Sequence, residues 1–473
     1  MPEAHELNEL GAAELSAAYA ARRLSPVEAT EAVIAHIARW EPELHALYAY
    51  DPERALAAAR ASEARWQRGA ALSPLDGVPL TIKENIATRG TPVPLGTAAT
   101  ELMPAPEDAP PAARLAEAGC VLLAKTTMPD YGMLSSGLST FHALARNPWD
   151  LSKNPGGSSA GAGAAAAAGY GPLHVGTDIG GSIRLPAAWC GVVGLKPSGG
   201  RVPIKPPYIG RVAGPMTRTV TDAALMMAAL SQPDWRDTTS LPYQPIAWHD
   251  LTRAEIGLKG LKIGLLQDAG WGLAPSAGIT RAINNAAGLF ERAGATIAPM
   301  KPFMTPDMAE GIDLFWRVRS ALDIGALPAA RREKVLPYIR AWAAAGERVD
   351  AAALFHGFSQ IGALREAAVA ACHPFDFVIS PVAPVSAFAA EWAGPTNDPA
   401  TAMHHIAFTL PFNMSEQPAI SVPCAHDGAG LPIGLQIIGR RHDDLGVLRL
   451  ARAFEMLRPA DALRPWPRRP AAD

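Results

Sequence analysis

Across 473 residues the chain has four cysteines, Cys120, Cys190, Cys372 and Cys424, far apart and in no CxxC pair. That excludes a disulfide scaffold and predicts reduced, buried thiols. Every apolar run is interrupted by Gly, Pro or charge before reaching the ~18 residues of a membrane span, so no membrane partner is expected. The opening MPEAHELNEL lacks the basic start and apolar run of a secretory signal, and the expected location is cytoplasmic. An excess of either charge is also missing: 42 Lys and Arg face 45 Asp and Glu, a formal net charge of −3. With no basic stripe, no nucleic-acid partner is expected. No HExxH or Cys/His cluster occurs, and the adjacent His404 and His405 must diverge, so no metal is expected. Gly194-Leu195-Lys196 is followed by Pro rather than Ser or Thr, which excludes a P-loop, and no cofactor is expected.

What is present is a globular composition, 49% hydrophobic and 18% charged. Residues 14–68 read as helices, with Ser25-Pro26-Val27-Glu28 as an N-cap, a Pro at the first helical position and an acidic first turn. Gly77 to Lys83 then reads as a short strand ending on polar residues. Pro111 to Ala118 reads as a helix, Cys120 to Ala124 as a strand, and the alternation continues through His174–Thr177, Phe375–Ser380 and Ala419–Pro423 to a helix over Asp444–Leu457. The least patterned stretch, about 232–254, is expected to be a surface loop. Alternating helices and strands predict an α/β fold.

Three features stand out chemically: Lys83 at a strand end, the loop Asn154-Pro-Gly-Gly-Ser158-Ser159, and Gly176-Thr-Asp178-Ile179-Gly180-Gly181-Ser182. A glycine turn can aim backbone N–H groups into one cavity and set a serine hydroxyl beside them, as an acyl-transfer site requires. Taken alone, a Gly-Gly-Ser motif is more often a tight turn with a capping serine, and a lone lysine such as Lys83 is more often a surface residue. The small-residue run from Gly156 into Ala164–Ala168 reads as a packed loop leading to a helix rather than a linker. Cys190, inside an apolar stretch, reads as core and not as a nucleophile.

Together these segments resemble the amidase signature family. The Gly/Ser region Asn154–Gly163 and Gly176–Gly200, the lysine segment Leu75–Ile86, and Leu122–Pro129, Asn147–Trp149 and Gly430–Gly439 all look like family segments, in order over about residues 5–460. Two positions depart from the family pattern. Ala160 stands where many members have Gly and adds only a methyl. Glu416, also at a frequent Gly position, places a carboxylate near a segment that often borders the site, with an expected effect on substrate preference.

The resemblance implies one large α/β domain over residues 1–473, with a mixed, mostly parallel sheet covered by helices on both faces, a helical lead-in over about 5–68 and a helical pocket insertion over about 308–365. It also implies a serine hydrolase with Ser182 as nucleophile, Ser158 as relay through a cis peptide bond, and Lys83 as base. Ile179, Gly180, Gly181 and Ser182 would donate backbone N–H groups to the oxyanion, and Asp178 with Arg184 would hold the turn as an ion pair. A neutral Lys83 costs about 4.6 kcal/mol at pH 7 (roughly 3.4 units at 1.36 each), which burial can supply if no carboxylate pairs with it. On a strand, Glu84 should point to the opposite face.

Pro206-Pro207-Tyr208-Ile209 and Phe315-Trp316 look apolar. The expected substrate is therefore a small apolar or aromatic amide, with carbamates or esters open to the same acyl-enzyme route. The expected protein is a stand-alone monomer or homodimer. The alternative is the glutamine-hydrolysing subunit of a tRNA-dependent amidotransferase complex, which should need a charged clamp.

Overall fold

The computed structural model describes residues 7–251 and 257–467. The first residues of the expected lead-in and positions 252–254 of the expected loop lie outside the described residues.

The lead-in forms helices Ala12–Ala20, Pro26–Leu44 and Pro52–Gln67. The cap read at Ser25 is reciprocal: Glu28 N–H donates to Ser25 Oγ at 3.1 Å, and Ser25 N–H donates to a Glu28 carboxylate oxygen at 2.8 Å. Val33, Ile37, Trp40 and Leu44, spaced by three and four, form the buried stripe of the second helix. They pack with Ala55 and Ala59 of the third helix and with Val121 and Leu123.

Among the described residues one sheet holds eleven strands: β1 (Leu47–Tyr48), β2 (Pro79–Lys83), β3 (Val121–Thr126), β4 (Leu173–Asp178), β5 (Val193–Lys196), β6 (Val212–Thr217), β7 (Lys262–Leu265), β8 (Thr296–Pro299), β9 (Phe377–Pro381), β10 (Ala419–His426) and β11 (Pro432–Ile438). Their spatial order is β1-β3-β2-β4-β6-β5-β10-β11-β9-β7-β8. The sheet is mixed, as expected, but its parallel share is smaller than expected. Parallel pairing is confined to β3-β2-β4 on one side and β9-β7-β8 on the other, and the pairings between those blocks are antiparallel. The reason lies in the connections. The strands in the middle are joined by turns and loops, such as residues 427–431 between β10 and β11, and a chain that reverses without a crossover helix pairs antiparallel.

Consecutive residues of β11 enter different cores: Ile437 joins Leu80, Ile82, Phe290 and Phe454 on one face, and Ile438 joins Trp189, Trp316 and Trp342 on the other. Both faces are therefore covered, which explains why β2, β4, β6, β9 and β11 are buried along their whole length. The face carrying Trp189 also receives helices Pro306–Gly325, Pro337–Ala344 and Ala351–Cys372, which lie in the stretch between β8 and β9.

Candidate active site

Lys83 ends β2 and Thr177-Asp178 ends β4, and the two strands are parallel neighbours with Ile82 beside Val175. Their carboxyl ends open on one side of the sheet, the usual ligand side of an open α/β sheet. Helix Ala160–Ala168 starts there, with Ser159 at its N-cap. The loop before it is buried from Asn154 onward, and Asn154 fixes it by accepting from Gly156 N–H at 2.7 Å. A Cβ on Gly157 would sit 2.4 Å from Ser136 N, and a Cβ on Gly161 would sit 2.2 Å from the Ala46 carbonyl oxygen, so both glycines answer to close backbone approach. Ala160 sits in the same buried turn without disturbing the helix. The peptide bond between Gly157 and Ser158 is cis.

Lys83 is fully buried. Its amine lies 2.8 Å from Ser158 Oγ, 3.0 Å from Thr177 Oγ1 and 3.1 Å from Ser159 Oγ. A neutral amine has two N–H groups and one lone pair, so three hydroxyls satisfy it when one of them donates. Burial, aided by the charge of Arg211, pushes the Lys83 pKa well below that of a free lysine, and the pull of Asp178 and Glu84 does not offset this. Glu84 turns away from the amine, accepting from Gly96 N–H and pairing with His142 Nε2.

The turn after β4 brings Ser182 back beside Ser159, whose N–H donates to the Ser182 carbonyl at 3.2 Å. Ser182 is half-buried and lines a cavity with Ser158, while its hydroxyl has no hydrogen-bond partner among the described residues. Of the four expected oxyanion donors, Gly181 is engaged elsewhere: its N–H donates to Asp178 Oδ1 at 2.8 Å. The N–H groups of Ile179, Gly180 and Ser182 have no protein acceptor among the described residues. Asp178 was expected only to brace the turn by its ion pair with Arg184. Its carboxylate also reaches back to cap the turn, accepting from the Gly181 N–H. Gly181 still has to be glycine, since its φ is +129° and a Cβ would lie 2.5 Å from Thr409 Oγ1. Thr409 in turn donates to the Gly180 carbonyl at 2.5 Å, which holds that oxygen in place.

Asp178 and Arg184 meet through two bonds of 3.0 Å with both side chains fully buried. Arg184 also donates to Gln436 Oε1 at 2.7 Å, Asn413 Oδ1 at 2.5 Å and the Thr409 carbonyl at 3.0 Å, and Asn413 Nδ2 donates to Asp178 at 2.9 Å. Burial alone would raise the Asp178 pKa, but the Arg184 charge and these bonds hold it below the usual carboxylate range.

The cavity in front of Ser158 and Ser182 has a volume of about 680 Å³, in the range of small-molecule sites. Leu95, Met128, Leu134, Trp316, Ile339 and Ile406 make much of it apolar. The expected pocket segments do reach it, through Lys205–Tyr208 and through Trp316 and its neighbours on helix Pro306–Gly325. The apolar reading was incomplete: Lys205, Arg211, Arg319 and Asp323 also line the cavity. Phe315 packs on Phe358 instead, and Ile209 is 39% exposed.

Glu416, expected to influence the substrate, is not at the cavity wall. Its carboxylate meets Arg365 at 2.9 Å and Arg441 at 2.6 Å, and the residue keeps a φ of +62°. Cys190, Cys372 and Cys424 are buried and Cys120 is half-buried, and burial raises the thiol pKa of all four. His405 is buried against Trp189, its pKa lowered to about 4 by burial, while His404 faces Trp271.

The geometry has counterparts among known proteins. The family model described as Amidase matches residues 28–448. A glutamyl-tRNA(Gln) amidotransferase subunit from Myxococcus xanthus is 36% identical over 95% of this chain and 97% of its own. Among solved structures, a bacterial aryl acylamidase of the amidase signature family superposes with a TM-score of 0.86 at 28% identity, covering 96% of this chain and 97% of its own. A peptide amidase from Stenotrophomonas maltophilia does so with a TM-score of 0.83 at 28% identity, covering 97% of this chain and 98% of its own. No helix among the described residues is long and apolar enough to cross a membrane. A buried lysine ringed by hydroxyls, a serine on a glycine turn and a family match over most of the chain lead to one conclusion: this protein belongs to the amidase signature family and is a hydrolase of carbon–nitrogen amide bonds.

Proposed function

We propose that the protein is a stand-alone amidohydrolase that cleaves a small, largely apolar amide through an acyl-enzyme on Ser182. Ser182 Oγ attacks the carbonyl carbon, its proton passes to Ser158, and the Ser158 proton passes to neutral Lys83. The carbonyl oxygen, now negative, takes N–H groups from Ile179, Gly180 and Ser182. Lys83 returns its proton through Ser158 to the nitrogen, the C–N bond breaks, and the amine leaves. Water then attacks the ester by the same route. The observation that carries the hydrolytic route is the 2.8 Å contact between Ser158 and a buried Lys83 without a carboxylate partner, and the largely apolar cavity wall carries the choice of substrate. Carbamates and esters fit the same route, since each offers a carbonyl carbon and a leaving group.

The glutamine-hydrolysing reading draws support from the amidotransferase relative and from the arginines in the cavity. Free glutamine also brings an ammonium group, and the carboxylates of the wall are engaged: Asp178 by Arg184, and Asp323 by Arg319 at 3.5 Å. A cavity of about 680 Å³ is also roomy for glutamine, which favours the stand-alone reading. Incubation of the purified chain with an aryl anilide, followed by mass spectrometry of the trapped acyl-enzyme, tests it. The expected adduct is on Ser182 and is missing in Ser182→Ala; an adduct on another residue, or hydrolysis of glutamine alone and only beside partner subunits, overturns the reading.

A further inference from the structure

Arg211 is a cation at the cavity that the hydrolytic steps do not use as a reacting group. It immediately precedes β6. Because Asp178 pairs with Val212 in antiparallel register, Arg211 lies across from Ile179, the first residue of the turn that carries Ser182. Its Nη1 donates to the Pro206 carbonyl at 3.2 Å, and no carboxylate lies within 4 Å of it among the described residues. The charge acting on it is a second cation, Arg319; burial and that charge lower its pKa to about 10, so it stays protonated at neutral pH. Arg319 lies 4.2 Å over the ring of Tyr208 and already has a counter-charge in Asp323 at 3.5 Å, whereas the Tyr208 hydroxyl, on the same cavity wall, is buried without a partner. A half-buried guanidinium without a counter-charge of its own, next to a buried hydroxyl without a partner, leaves donors on the cavity wall that an anionic ligand can fill.

We propose that Arg211, with Tyr208, receives a carboxylate on the substrate, so that the preferred substrates are amides of dicarboxylic acids that keep one free carboxylate and carry no ammonium. The apolar wall takes the amine portion, and the planar fork of Arg211 matches a carboxylate in two-point contact. This rests on the Ser182 hydrolase reading and names its substrate class.

The test compares the monoanilide of glutaric acid with its neutral analogue, in which a hydroxymethyl group replaces the carboxylate. The expected kcat/KM of the wild type is about tenfold to a hundredfold higher for the carboxylate, mainly through KM. Arg211→Met should bring the ratio close to one, and Arg211→Lys should restore part of it. Arg211 also pushes the Lys83 pKa down, so its loss slows both substrates at neutral pH, and the ratio cancels that common effect. If Arg211→Met does not fold, the wild-type ratio and its expected fall in Tyr208→Phe decide the question. A wild-type ratio of one or less, an unchanged ratio in Arg211→Met, or faster turnover of glutamine than of the monoanilide overturns the proposal. Labelling of Ser182 and cleavage of the neutral anilide without a carboxylate preference would leave the hydrolase reading intact and remove only this one. Absence of labelling and of all hydrolysis removes both.

Discussion

Two buried charged side chains flank the same turn and are treated in opposite ways. Lys83 is surrounded by three hydroxyls and no carboxylate, whereas Arg184 is surrounded by Asp178, Asn413, Gln436 and a backbone carbonyl. Both are 0% exposed. The lysine is pushed toward its neutral form and so gains a lone pair to use as a base. The arginine is held by four acceptor groups and serves as a fixed brace. Burial alone therefore does not decide whether a charged group becomes reactive; the partners within reach do.

The largest expected effect tests the reactive half. Lys83→Met should lower kcat by about 10⁴ or more, because a relay without its base behaves as a broken unit. Steady-state assays of the purified variant check it, and activity within tenfold of wild type would contradict the contrast. The bracing half should fail differently. Arg184→Met leaves Asp178 buried without its counter-charge and should cost about 3–5 kcal/mol in denaturant unfolding.

The pH dependence separates the two halves by sign. Asp178 has a lowered folded pKa, so its stabilisation is present above the unfolded value near ~3.9 and fades only as pH falls through the folded value. A lowered lysine does the reverse. Lys83 destabilises the fold at low and neutral pH, and this cost shrinks as pH rises from its folded pKa toward the unfolded value near ~10.4. Wild-type stability minus that of Lys83→Met should therefore rise by about 1.4 kcal/mol per pH unit inside that window, measured by unfolding at successive pH values. The subtraction is needed because Lys125 and Lys196, each lowered to about 7 by burial, add their own alkaline rise. A flat difference would mean that Lys83 is not neutralised by burial.

The smallest effect concerns Glu416, the carboxylate outside both clusters. Glu416→Gln should change stability by no more than about 1 kcal/mol, since its arginine partners are partly exposed. Its ratio of rates on two anilides should match wild type; a shifted ratio would return Glu416 to the substrate wall.

The local features of this contrast were legible in the sequence. The glycine turn before Ser182, the strand end at Lys83 and the Ser25 cap each follow from spacing of a few residues. The assignment of Lys83 and Ser158 as partners came from family resemblance, because 75 positions separate them and no local pattern couples them. Thr177 and Ser159 were missed as lysine partners, although both lie within motifs already singled out. Asn413 and Gln436 reach Arg184 from more than 200 residues away, which only the fold can show. The parallel share of the sheet was overestimated for a similar reason: helix–strand alternation says little about pairing when loops replace crossover helices. Arg211 gave no signal, since one arginine after a glycine is ordinarily a surface residue.

Trp316, Arg319, Ile324 and Ile339 all come from the helical stretch between β8 and β9, whereas Ser158, Thr177 and Ser182 stand on or beside the sheet. The enzyme is thus divided into a hydrolytic engine on the sheet and a front panel packed against one of its faces. Changes at the cavity-facing positions of this panel, such as Arg319 and Asp323, can reshape the site for a new guest while the strands that align the engine stay in place.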